Sequence, residues 1–253
     1  MQNKTHLLIF ATDNTADALI DLLPSNKFNI DKITLLEIEK LEINQNQILN
    51  FDILIFTSIN SITCSNKYFI DLKKRNPKLT TFCMGKQSYN FLRKNFDKVF
   101  YPKNGNDSEA LISEIITQIK SLTNKKIAIF KGIGGRNYLQ TALSEMKSEV
   151  KVFNIYRRKP IIQNAEKLNN LIKNIENKNQ AINIILSSQS LEILSKAYKQ
   201  HIISQNAFDQ LIELPVIVNH WKIRNKAIEY GYRNVILADS LQSIPEVINM
   251  QFF

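Results

Sequence analysis

His6-Leu-Leu-Ile-Phe10, then Thr15-Ala-Asp-Ala-Leu-Ile-Asp-Leu-Leu23, then Ile33-Thr-Leu-Leu36: this opening stretch decides the fold. The first and last segments are short apolar runs and read as buried strands. The middle one repeats its apolar residues at helical spacing. A strand, a helix and a strand in succession form a β-α-β unit, and continued alternation of this kind calls for a parallel sheet covered by helices.

The pattern returns downstream. Lys126-Ile-Ala-Ile-Phe130 lies over His6 to Phe10 without a gap, Leu139 over Leu19, Leu143 over Leu23, and Val150 to Ile155 over Ile33 to Ile38. A second pair is interleaved with the first. Asp52-Ile-Leu-Ile-Phe-Thr-Ser58 matches Ile182-Asn-Ile-Ile-Leu-Ser-Ser188, each an apolar strand ending in two hydroxyl residues. Later strands follow in both, Thr81-Phe-Cys-Met84 with Lys98-Val-Phe-Tyr-Pro102, and Pro215-Val-Ile-Val218 with Asn234-Val-Ile-Leu-Ala238. The order is therefore A-B-A′-B′.

Sequential domains would pair A with B and A′ with B′. The alternative is that the chain leaves A, builds B and A′ together, and returns to complete A with B′. Leu36-Glu-Ile-Glu39 and Asn154-Ile-Tyr-Arg-Arg-Lys-Pro160 look like paired extended linkers, with Pro160 biasing Lys159 to extended geometry, and favour the second arrangement. The expected fold is α/β: two similar lobes, each a parallel sheet flanked by helices, one lobe discontinuous, joined by a two-stranded linker. The boundaries are 1–36 with 161–253 for the discontinuous lobe, 40–153 for the other, and 37–39 with 154–160 for the linker. The expected ligand site is the crevice between the lobes.

Composition narrows the function. The 253 residues, 44% hydrophobic, are enough for two α/β lobes with real cores. With 33 Lys and Arg against 23 acids the formal charge is +10, which favours an acidic partner, although a composition rich in Ile, Asn and Lys writes the same excess. Only Cys64 and Cys83 are present, and they form no CxxC pair, so a reducing compartment is expected. The apolar run at the N-terminus stops at Thr12-Asp13-Asn14, and no stretch of about 20 apolar residues exists. These observations predict a soluble cytoplasmic protein without membrane contact.

Six glycines are scarce for this length, and three fall within Lys131-Gly-Ile-Gly-Gly-Arg136, between a strand and a helix. Such a turn aims backbone N–H groups and a helix N-terminus at an anion, and Lys131 and Arg136 flank it. A bare tight turn is the competing reading. Neither nucleotide motif fits: the dinucleotide fingerprint needs glycine where Asn137 stands, and no Gly-Lys-Ser/Thr follows. Thr57-Ser58 and Ser187-Ser188 end their strands at the ligand edge, where hydroxyls either cap the next helix or bind a carboxylate. Ser88, in Gly85-Lys-Gln-Ser88, stands in a third such turn, and Lys222 in the corresponding B′ turn. Tyr156 begins a basic run that is either a solvated stretch or the carrier of a proton donor. The histidines are dispersed, with no zinc spacing, no HExxH and no GxSxG elbow. Aromatic residues do not interleave with the basic ones as a base-stacking platform requires, and the polar stretch Asn174 to Gln180 reads as a loop or helix end.

In order and spacing these segments resemble the uroporphyrinogen-III synthase family over nearly the whole chain. Phe56-Thr-Ser-Ile-Asn60 resembles its FTSxNA strand end, Lys131-Gly-Ile-Gly-Gly-Arg136 its RGxGGR turn, Tyr156-Arg-Arg-Lys-Pro160 its YRRxxP linker, Met84-Gly-Lys-Gln-Ser88 its VGxxTA turn, and Leu186-Ser-Ser188 its second hydroxyl edge. Ala11-Thr12-Asp13 stands where many members carry Thr-Arg-Pro, and Lys222 falls about where relatives often carry Thr.

The resemblance implies a cofactor-free, metal-free lyase that closes hydroxymethylbilane, a linear polycarboxylate of four pyrroles, into uroporphyrinogen III. The pyrrole nitrogen expels the terminal hydroxyl to give an azafulvene. The far ring then attacks through a spiro intermediate and is inverted, whereas unassisted closure leaves it uninverted. On this reading Tyr156 aids hydroxide departure. Thr57, Ser58, Ser88, Ser187, Ser188, Lys222 and the turn Lys131, Gly132, Gly134, Gly135 and Arg136 bind substrate. The expected partner is the small-molecule tetrapyrrole, with no nucleic acid and no membrane, and the chain is expected to be a monomer. A non-catalytic bilobed binding protein for an anionic small molecule, or a basic nucleic-acid-binding protein, are the rival readings.

Overall fold

In a computed structural model of the chain, which describes residues 4–24, 27–48, 50–105, 107–175 and 181–252, the described residues form eleven strands in two sheets. The chain divides into two compact units, Met1–Glu37 with Lys159–Phe253, and Ile38–Arg158.

The first unit holds β1 (Thr5–Phe10), β2 (Phe28–Ile33), β9 (Ala181–Ile185), β10 (Val216–Val218) and β11 (Val235–Leu237). The second holds β3 (Leu36–Lys40), β4 (Ile53–Phe56), β5 (Thr80–Cys83), β6 (Lys98–Phe100), β7 (Lys126–Gly132) and β8 (Glu149–Pro160), with β3 and β8 continuing across the unit boundaries. The sheet orders are β2-β1-β9-β10-β11 and β3-β8-β7-β4-β5-β6.

All four ladders of the first sheet are parallel, as are those from β8 to β6 in the second. Counted along the chain, the first sheet runs 2-1-3-4-5, the doubly wound order. The second has the same order once β7 and β8 are counted first. The interleaved repeat is thus a circular permutation of one design. Beyond β8 the edge strand β3 runs antiparallel: Leu41 donates to the Ile155 carbonyl at 2.9 Å and Ile161 to that of Leu35 at 2.9 Å.

Central strands are continuous apolar runs because helices cover both faces. β9 and β4 are buried at every residue. Alternate residues feed opposite cores: Ala128 and Phe130 pack on one face of the second sheet, Ile127 and Ile129 on the other. Phe56, Phe130 and Phe153 lie in register on adjacent strands and stack side by side, with centroids 5.0 and 5.3 Å apart. The one polar residue of β9, Asn183, is fully buried and donates to the Leu211 carbonyl at 2.8 Å. Cys64 and Cys83 are separate buried thiols, and burial pushes that of Cys83 up to about 12, so it stays an unreactive thiol near neutral pH.

Two sequence readings shift. The second strand of the first unit is Phe28–Ile33, not the run beginning at Ile33. It is an edge strand in which Asn29, Asp31 and Lys32 stay unburied, so it lacks the continuous apolar signature, and the run 33–36 spans the break between β2 and β3. The hydroxyl ends of β4 and β9 also match one residue out from the apolar alignment. Leu186 donates to the carbonyl of Phe10 as Thr57 does to that of Phe130, so Ser58 corresponds to Ser187, and Thr57 to Leu186. Ladder bonds set this register, and apolar runs of similar length cannot. Of the polar stretch read as loop or helix end, Asn174 ends a helix, and residues 176–180 lie outside the described residues.

Candidate active site

The switch point of the second sheet lies between β4 and β7, whose crossovers leave in opposite directions along the sheet. Ligands of such sheets bind outside the carboxyl ends of the strands at this point. There a cleft of about 210 Å³ opens, lined by Thr57 and Ser58 after β4, by Lys131 to Asn137 at the end of β7 and in the turn that follows, and by Tyr156 and Arg158 of β8. Among its described lining residues Lys131, Arg136 and Arg158 are the charged ones, and none is acidic.

Tyr156 reaches the cleft through a break in the ladder. Lys131 pairs with Asn154 but Gly132 pairs with Tyr156, leaving Ile155 as an extra residue. This β-bulge re-aims the tyrosine. The hydroxyl end of its ring then lies against Gly132, where an added Cβ would come within 2.5 Å of Cζ and 2.6 Å of Cε2. Gly132 is glycine because the ring occupies the place of its side chain. Gly134 and Gly135 are glycine for another reason: φ values of +86° and +80°, in open space.

Tyr156 is 3% exposed, and its hydroxyl lies 3.1 Å from Ser58 Oγ. Ser58 also begins the helix Ile59–Ser65. Its Oγ accepts from Ser61 N at 3.1 Å, and Ser61 Oγ accepts from Ser58 N at 3.1 Å, a reciprocal cap. One hydroxyl thus fixes both a helix start and the tyrosine. Ser58→Ala is expected to lower stability by about 1 kcal/mol through the lost cap. Urea unfolding checks this; an unchanged midpoint would remove the cap's contribution.

The turn is braced by its own cations. Lys131 Nζ donates to the Arg136 carbonyl at 3.2 Å. The Arg136 guanidinium makes two bonds to Glu109, at 2.6 and 2.9 Å, which hold its pKa above the ordinary arginine value. Thr57 Oγ1 donates to the Phe130 carbonyl at 3.4 Å, tying β4 to β7. Ser88 is buried beside this cleft in a second recess of about 490 Å³, also lined by Ser58, Lys86, Tyr101 and Lys103.

Of the residues singled out from the sequence, Thr57, Ser58, Lys131, Gly132, Gly134, Gly135, Arg136 and Tyr156 converge on the one cleft. Ser187, Ser188 and Lys222 belong to the first unit. There Ser187 caps the helix Ser188–Lys199 by accepting from Gln189 N at 3.2 Å, and Ser188 is that helix's half-buried first residue. Lys222 is exposed after β10, its ammonium 5.4 Å from the Trp221 ring centroid. Sequence reading missed Arg158 and Glu109. Arg158 was legible as the residue two beyond Tyr156, on the same strand face. Glu109 had no signal, since it reaches the turn from a helix 27 residues earlier.

Fold and cleft together define a class: a two-unit, doubly wound α/β protein with a cation-lined cleft at a sheet switch point. The sequence model described as uroporphyrinogen-III synthase HemD matches residues 17–242. The chain belongs to the uroporphyrinogen-III synthase family. It is therefore a lyase of tetrapyrrole biosynthesis, closing hydroxymethylbilane to uroporphyrinogen III with loss of water and inversion of one ring.

Among solved structures, a mutant uroporphyrinogen III synthase from the extreme thermophile Thermus thermophilus is 13% identical, over 96% of this chain and 97% of that one, with a TM-score of 0.59. The uroporphyrinogen-III synthetase of Helicobacter pylori is 14% identical over 98% of each chain, with a TM-score of 0.57. At these identities the likeness shows the fold. No curated protein sequence matches the chain. Among the described residues no helix is long and apolar enough to cross a membrane.

Proposed function

We propose that the cleft of the second unit is where the chain holds the reacting end of hydroxymethylbilane, with Tyr156 as the group that aids hydroxide departure. The observation that carries this is the contact of Tyr156 with Ser58 and Gly132 at the carboxyl ends of β4 and β7, beside three cations. The cleft is smaller than the roughly 300–1,000 Å³ that encloses a drug-sized ligand, so it takes one end of the linear tetrapyrrole.

The substrate supplies its own electronic push, so the protein's task is orientation, which is worth up to about 7–11 kcal/mol when two reacting ends are held together. Lys131, Arg136 and Arg158 suit the carboxylate arms through charge-assisted bonds. Thr57, Ser58 and Ser88 suit hydrogen bonding on the same side, and Ser187, Ser188 and Lys222 are the corresponding contacts proposed for the first unit. Ser58 orients the tyrosine hydroxyl, which donates to the departing oxygen. The reading includes no cofactor and no nucleic-acid partner, and a monomer working in the cytoplasm.

Tyr156→Phe keeps the ring and removes the donor. It is expected to slow formation of the type III isomer by roughly a hundred-fold, the lower end for lost proton donation, with the type I isomer rising as spontaneous closure competes. Isomer analysis of the products measures both. An unchanged type III rate would remove the role given to Tyr156.

A further inference from the structure

Arg136 is the residue of the glycine turn best shaped to hold a carboxylate, because its planar fork matches two oxygens at once. In the structure that fork is already filled. Nη1 lies 2.6 Å from Glu109 Oε1 and Nη2 2.9 Å from Oε2. The carboxylate comes from the first turn of the helix Ser108–Gln118, whose neighbour Asp107 is committed to capping that helix by accepting from Ala110 N at 2.8 Å. The turn backbone is held separately, by Lys131 on the Arg136 carbonyl. Both partners are substantially exposed, with side chains 62% and 46% accessible, so the pair is weak enough to exchange.

We propose that Glu109 is a stand-in for a substrate carboxylate: it keeps Arg136 posed at the cleft and yields the guanidinium to one acidic arm of hydroxymethylbilane. The inference rests on the cleft assignment above. Its consequence is selectivity. A ligand gains from Arg136 only the difference between its own carboxylate and that of Glu109. A lone carboxylate gains little, whereas a ligand whose other arms meet Lys131 and Arg158 displaces Glu109 at small cost. Glu109 is thus a specificity-determining residue that need not touch substrate.

The test compares KM for hydroxymethylbilane in the parent protein, Glu109→Gln, Arg136→Gln and the double variant, at low salt and at about 0.5 M salt, where surface charges are screened. Glu109→Gln is expected to lower KM by roughly two- to five-fold at low salt, the range of an exposed ion pair, and less at high salt. Arg136→Gln is expected to raise KM, and adding Glu109→Gln to it to change nothing further. Arg136→Lys, which keeps the charge and loses the fork, is expected to fall between parent and Arg136→Gln. A KM that is unchanged or raised in Glu109→Gln, or lowered equally at both salts, overturns the stand-in role while an Arg136 effect preserves the cleft assignment. No effect of either Arg136 substitution overturns the cleft assignment itself.

Discussion

Gly132→Ala is expected to cost the enzyme roughly a hundred-fold in the rate of type III formation, as much as removing the tyrosine hydroxyl itself. The added methyl would lie 2.5 Å from Tyr156 Cζ and 3.0 Å from its hydroxyl oxygen, far inside contact distance. The ring cannot simply swing away, because it is 3% exposed and packed into the core with Phe130 and Phe153. Either β7 or the tyrosine moves, and the 3.1 Å contact with Ser58 breaks. A displacement of about 1 Å at a reacting centre is enough for a hundred-fold loss. Overpacking adds a stability cost of about 1–3 kcal/mol. A double-mutant cycle separates the two effects: once Tyr156→Ala has emptied the ring's place the methyl has room, so Gly132→Ala should then add little further loss of stability, while activity stays low. Parent-like activity in Gly132→Ala alone would sink the geometry proposed for the tyrosine.

Phe130→Ala carries the largest expected effect on stability, about 3–5 kcal/mol, the range for emptying a buried phenylalanine site. Phe130 is fully buried and stacks between Phe56 and Phe153, and Phe56 in turn meets Phe69 edge-on at 5.6 Å. The loss is a large share of the roughly 5–15 kcal/mol that holds a typical domain folded. It also undercuts the cleft, since β7 and β4 are joined there by this stack and carry Lys131 and Thr57 at their ends. Urea unfolding followed by a probe in residues 38–158 should show the midpoint of that unit shifted down. A shift under about 1 kcal/mol would mean that the site collapses around the deleted ring at little cost.

Local geometry at the cleft is written in the residue pattern, whereas contacts that depend on distant partners are not. The turn Lys131 to Arg136 was legible as backbone geometry because three glycines in four positions after a strand mark a turn that side chains would strain, and the structure gives two of them positive φ. The third, Gly132, is set by a ring that arrives from β8, which no local rule reveals. Ser58 and Ser187 were recognisable as hydroxyls at strand ends, and both cap helices. Their one-residue correspondence, however, emerges from ladder bonds rather than from the apolar runs. Arg136 read as a free anion grip, and the structure pairs it with Glu109, an exposed acid on a helix that nothing in the residue pattern connects with the turn.

By itself the sequence determined the alternation of strands and helices, the parallel sheets and the interleaved repeat, because buried central strands must be apolar at every position and apolar runs survive in any context. It also supplied the residue types of the cleft, and enough ordered motifs to resemble one family. Tertiary structure alone decided which side chains meet. A single extra residue, Ile155, turns Tyr156 onto Gly132 and toward Ser58, and a helix from elsewhere brings Glu109 to Arg136. The physical reason is that periodicity records burial, which is a property of one strand or helix. A bulge, a ring-on-glycine contact or an ion pair is a property of two segments whose spacing along the chain carries no trace of their approach in space.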